Sequence, residues 1–194
     1  MFIDSTNYKL HVEAIIEESD DLKIAVAFWG KGSEELLNSV SKKFDVICNL
    51  TSGGTNPKVV KAIIKLAPRV NIRYHDDLHA KVLIGKKSII VGSANMSTNG
   101  LNIESDEFSG WQEAGYLTDQ VDAVEAAAAW FHTRWLESKE ITEATLKLAD
   151  VAWKNRSATR ILHPKSSSKL FDLTPCEANG RRIFVVFYDE EPSS

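Results

Sequence analysis

The sequence predicts a layered α/β domain with a mixed, mostly parallel sheet between two helical layers. Three observations predict it. Short apolar runs rich in β-branched and aromatic residues alternate with stretches of helical spacing, and Gly, Pro and Asn clusters punctuate them. Hydrophobic residues make up 43% and charged residues 26% of 194 residues, the composition of a globular chain with apolar side chains enough for one core.

Each element has a local reason. Tyr8 to Glu18 carries Leu10, Ala14, Ile15 and Ile16 on a helical face, and Leu22 to Trp29 reads as a strand ended by Gly30-Lys31-Gly32. Ser33 is placed to cap a helix through Ser41, with Glu34 and Glu35 at its positive end. Phe44 to Leu50 is a second strand. Pro57, at the end of the turn Thr51-Ser52-Gly53-Gly54-Thr55-Asn56, suits a first helical position. A helix from there through Ala67 would expose Lys58, Lys61 and Lys65 and bury Val59, Val60, Ile63, Ile64 and Leu66. Val70 to Tyr74 is a third strand. Ala80 to Ile84 and Ser88 to Val91, separated by Gly85-Lys86-Lys87, suit a tight hairpin that adds an antiparallel edge. Glu113 to Thr118 is a further strand and Val121 to Trp135 a helix. The domain is expected to span 1–138. Residues 139–194 read as a helical extension, Ile141 to Trp153, and a basic C-terminal arm that could lead into a further domain of a longer protein.

Composition removes several function classes. Cys48 and Cys176 form no Cys-x-x-Cys pair, which argues against a disulfide scaffold and a thiolate zinc site. No stretch reaches the roughly 18 apolar residues that span a bilayer, so no membrane partner and a cytoplasmic location are expected. The net charge of -4 is unevenly spread: Leu101 to Asp150 holds 11 acidic and 3 basic residues, Val151 to Arg182 holds 7 basic and 2 acidic. A polyanionic substrate is therefore compatible with the chain, provided its site is local.

His79 and Lys81 stand two apart on a predicted strand and share a face; across the hairpin, Ser93 and Asn95 of Gly92-Ser93-Ala94-Asn95 do the same. Imidazole, ammonium, hydroxyl and amide on one small patch suit a phosphoryl group. The imidazole can attack phosphorus, the lysine can neutralise its oxygens, and Ser and Asn can donate where charge develops. The set suits a divalent metal poorly, since it contains no carboxylate; neither metal nor cofactor is expected.

Leu78-His79-Ala80-Lys81-Val82-Leu83-Ile84-Gly85 followed by Val91-Gly92-Ser93-Ala94-Asn95-Met96-Ser97-Thr98-Asn99-Gly100-Leu101 resembles the phospholipase D superfamily, marked by His-x-Lys and a Gly-Ser-x-Asn turn. The likeness extends more loosely from Leu22 to Trp135 and is nearest in kind to single-motif nucleases and the catalytic domains of metal-independent restriction endonucleases. It implies a phospholipase D-like α-β-α fold, His79 as the group that forms a phosphohistidine, and Lys81, Ser93 and Asn95 as phosphate-binding residues. It further implies Glu113, rather than Glu104 or Glu107, as the acid that accepts the second ring N–H of His79 and fixes its tautomer. One departure is Lys86, which stands where the family usually carries an aspartate; that bears on phospholipid hydrolysis more than on phosphodiester chemistry.

Family members use two histidines from two motifs, and this chain has one. The expected solution is a homodimer with two facing sites, one His79 attacking and the other protonating the leaving oxygen. DNA is the expected substrate, with backbone contacts from Lys86, Lys87, Arg156 and Arg160. The alternatives are a lipid phosphodiesterase, with Phe108 and Trp111 as an apolar approach, and a non-catalytic DNA-binding or assembly module.

Overall fold

A computed structural model describes residues 1–38, 43–102 and 111–159. In chain order it contains β1 (Phe2–Asp4), α1 (Tyr8–Glu18), β2 (Leu22–Val26), α2 (Ser33–Asn38), β3 (Phe44–Cys48), α3 (Pro57–Ile64) and β4 (Val70–Tyr74). Then follow β5 (Lys81–Ile84), β6 (Ile89–Gly92), α4 (Thr98–Leu101), β7 (Ala114–Thr118), α5 (Val121–Glu137), β8 (Lys139–Glu140) and α6 (Glu143–Thr159). The strands form one mixed sheet in the order β1-β7-β6-β5-β2-β3-β4-β8.

The expected α/β layering is present, with a smaller parallel part than the alternation suggested. β2, β3 and β4 run parallel; β5 returns beside β2 and pairs antiparallel with it, and the hairpin to β6 and then β7 and β1 continues antiparallel. A helical crossover forces a parallel neighbour, whereas β4 reaches β5 through a short loop and β5 reaches β6 through a tight turn, so the chain reverses. One face of the sheet meets α1 and α3 through Ile24, Val26, Val46, Leu83 and Ile90, and the other meets α5 through Val82, Ile84, Ile89 and Phe131.

Several expectations are revised. Ser33 begins α2 and its hydroxyl donates 2.8 Å to the Gly30 carbonyl rather than capping the helix; the sequence-predicted end at Ser41 lies outside the described residues. Asn56 caps α3, accepting from the Lys58 amide, and Pro57 takes the first turn as expected. The helix ends at Ile64 instead of Ala67, so Ile64 and Leu66 are only partly buried. The compact unit runs from Met1 to Thr159, past the boundary expected near Ser138. β8 pairs with Arg73 and Tyr74 at the sheet edge, and Leu146 and Ala149 bury one face of α6 in the core. The first six residues of the expected arm, from Lys154 to Thr159, therefore continue α6.

Candidate active site

The β5–β6 hairpin fixes the register of the site. Val82 pairs with Val91 and Gly92 with Gly115, so the residues just before β5 and just after β6 emerge at one end of the sheet. His79 is exposed there and Lys81 half-buried, with Nζ 3.3 Å from His79 Nε2 and 2.8 Å from the His79 carbonyl. An ammonium carries only donors, so in the neutral ring Nε2 accepts, the ring proton sits on Nδ1, and the lone pair that Lys81 touches is that of Nε2. Burial lowers the Lys81 pKa from the ordinary lysine value, and the Glu113 charge partly offsets it.

The segment carrying His79 is anchored from below. Asn49, buried just past β3, donates its side-chain amide to the carbonyls of Asp76 (2.6 Å) and Leu78 (3.1 Å), and its Oδ1 accepts from the Ser52 amide at 3.3 Å. Thr51 and Lys139 bind the Asp76 carboxylate, at 2.5 and 2.7 Å, and hold its pKa below the usual aspartate range, the Lys139 hydrogen bond being the larger cause. The sequence reading passed over Asn49. The available signal was a lone amide between an apolar strand and the Thr51 to Thr55 turn.

On the other strand, the β6–β7 ladder continues one step beyond Gly92. Ser93 N–H donates to the Ala114 carbonyl at 2.9 Å, and Ser93 Oγ accepts from the Ala114 amide at 3.0 Å. The Ser93 hydroxyl proton goes to the Glu113 carboxylate. Glu113 is thus brought to the site, as the resemblance implied, but its hydrogen bond is made to Ser93 and not to the His79 ring, because the ladder sets these two side chains next to each other. Ser5 fastens the start of β7, accepting the Glu113 amide at 2.6 Å. Gly92 is required here because a Cβ at this position would overlap the Tyr8 hydroxyl. Burial first, then the Glu113 charge, pushes Tyr8 up to about 12, against an Ala94 amide that donates to its oxygen.

Asn95 follows in the turn, held between β6 and α4. Its Oδ1 is buried with no hydrogen-bond partner among the described residues. An orphaned buried acceptor costs about 1–3 kcal/mol, and only a donor could complete its bonding.

The remaining expected residues fall in different places. Lys86 and Lys87 sit in the β5–β6 turn, at the opposite end of these strands from His79, because the hairpin that unites Lys81 with Ser93 necessarily sends its own turn the other way. The placement does not bring these two lysines to the site. Arg160, Glu104, Glu107 and Phe108 lie outside the described residues. Trp111 is exposed. Arg156 reaches the site from α6: its guanidinium carbon lies 5.3 Å from the centre of the Phe28 ring, and Phe28 meets the His79 ring edge to face at 5.7 Å. His75, the imidazole nearest in sequence, turns toward Glu137 at 3.6 Å. Among the described residues no three His, Cys, Asp or Glu side chains gather that could hold a metal ion.

No protein-family model matches the sequence, and no curated protein matches it. Solved structures do. NucT from Helicobacter pylori superposes with a TM-score of 0.58 at 17% identity over 73% of this chain and 100% of its own. Nuc from Salmonella typhimurium, a phospholipase D family member, gives 0.58 at 13% over 74% and 97%. Phosphatidylserine synthase from Haemophilus influenzae gives 0.57 at 10% over 81% and 43%.

Proposed function

We propose that this chain, which has the phospholipase D-like fold, is a metal-independent phosphodiesterase that cleaves DNA through a phosphohistidine in a site shared by two copies. The observation that carries the reading is the pairing of His79 Nε2 with Lys81 Nζ at 3.3 Å, next to the hydrogen-bonded pair Ser93 and Glu113. An imidazole beside a lysine is suited to attack a phosphodiester whose charge the lysine neutralises.

In this reading the bound phosphate competes for the donors of Lys81 and Ser93 and takes the Asn95 amide. Glu113, released from Ser93, then accepts Nδ1–H of His79; such contacts commonly tighten only when substrate is present. The Nε2 lone pair forms the N–P bond as the P–O bond to the leaving group breaks. His79 of the second copy supplies the proton that the departing oxygen needs. That second imidazole, now neutral, takes a proton from water as the water oxygen attacks phosphorus and the N–P bond breaks, which restores both rings. The two rings must hold different protonation states at once, which mutual coupling across a shared site sustains. His75 is no internal substitute, since it faces Glu137. DNA is favoured over lipid because the sequence motif resembles single-motif nucleases; in fold, the chain overlays nearly the whole of NucT and Nuc but less than half of the synthase.

The test is incubation of the full chain with plasmid and with single-stranded DNA in excess EDTA, with His79→Ala as control. Cleavage that survives EDTA and vanishes in the variant is expected; cleavage that needs magnesium would overturn the mechanism.

A further inference from the structure

We propose that Phe28 and Arg156 build a second anion subsite beside the catalytic pair, one that takes the phosphate next to the scissile one on the same nucleic-acid strand. The proposal rests on the phosphodiesterase reading and adds to it the part of the substrate that lies outside the reacting bond.

Two cations share one ring. Lys81 Nζ lies 5.7 Å and the Arg156 guanidinium carbon 5.3 Å from the centre of Phe28, a half-buried ring that also meets the His79 edge. Both distances are inside the roughly 6 Å range in which the ring quadrupole attracts a cation. The ring therefore steadies the arginine and holds it within a short reach of the group that takes the reacting phosphate. A planar guanidinium with five donors suits a phosphate better than a solvated lysine would.

The turn after β3 is shaped to admit this arginine. Gly53 has φ +80 and a Cβ there would stand 2.7 Å from the Ala152 carbonyl oxygen. A Cβ at Gly54 would stand 2.6 Å from Arg156 Nη1 and closer still to the Phe28 ring. Only glycine lets this turn pass beneath both α6 and the Phe28–Arg156 pair. Beyond the turn, Lys61 of α3 meets Asp150 of α6 at 3.4 Å and Ala149 is fully buried, so the helix that delivers Arg156 is fastened to the body of the domain. Arg156 itself remains exposed, as a strand-binding group must.

A second-phosphate subsite makes three predictions that a purely structural arginine does not. With the full chain carrying His79→Ala, binding of a fluorescein-labelled ten-nucleotide oligothymidylate is followed by anisotropy between 50 and 200 mM NaCl. Adding Arg156→Met, which keeps the side-chain stem beside Gly53 and removes the charge, should lower the slope of log affinity against log salt by about one phosphate contact. Arg156→Lys should retain the slope. On the His79 background, Arg156→Met should lower kcat/KM for the oligonucleotide about tenfold and leave bis(p-nitrophenyl) phosphate, which has a single phosphodiester, within about twofold. An unchanged salt slope, no measurable binding, or equal loss on both substrates would overturn the subsite. Because the anisotropy measurement needs no turnover, a chain that binds with the arginine-dependent slope but cleaves nothing would retain the subsite and sink the catalytic reading alone.

Discussion

Lys81 stands between two opposing influences: burial favours its neutral form, and the Glu113 carboxylate favours the ammonium. Burial is the larger, so the folded pKa lies below the ordinary lysine value. Replacing Glu113 with Gln removes the charge among the described residues that acts in the protective direction, and Lys81 should then lose its proton at a still lower pH. The midpoint can be read from the Lys81 side-chain carbon resonance, assigned with Lys81→Arg. A midpoint that stays put or rises in Glu113→Gln would show that the two groups do not interact. The sequence made His79, Lys81, Ser93 and Asn95 legible through the His-x-Lys and Gly-Ser-x-Asn pattern, although only Lys81 lies within a strand. It could not reveal that Glu113 hydrogen-bonds Ser93, since that depends on how β7 registers against β6 across a gap of some twenty residues.

Among the elements, the end of β3 carries a burden out of proportion to its length. The Asn49 backbone N–H donates to the Ala27 carbonyl at 2.8 Å, its carbonyl accepts the Thr55 hydroxyl at 2.5 Å, and its amide reaches the segment that carries His79. Asn49→Ala leaves the Leu78 and Asp76 carbonyls without that donor, which should cost about 1–3 kcal/mol. Asn49→Asp should cost no less, because an ionised carboxylate offers these carbonyls no proton. Urea denaturation measures both, and kcat should fall with stability as His79 loses its support; a variant as stable and active as the parent would remove Asn49 from this role. Helices and central strands were legible from spacing, as with Pro57 at the start of α3. β1 and β8 were not, since three and two residues are too few to display a period of two.

For the whole molecule, the decisive matter is that the described residues bring one imidazole, not two, to the phosphate patch. If two copies complete each site, adding excess His79→Ala chain to a fixed amount of parent should drive activity per parent chain toward zero as mixed dimers replace parent dimers. Activity that tracks the amount of parent chain alone would exclude sharing. Chain-wide charge carries little of this argument, because a net charge of -4 coexists with Lys81 and Arg156 around one aromatic ring.

By itself the sequence determined the elements that two neighbouring strands or one helical face can specify: the α/β layering, the β5–β6 hairpin and the histidine–lysine patch opposite the Gly92 turn. Tertiary structure alone decided the antiparallel half of the sheet, the partner of Glu113, the anchoring by Asn49 and the arrival of Arg156 beside Phe28. Apolar periodicity states which face of an element is to be buried but not which other element buries it, and these contacts join residues far apart in the chain.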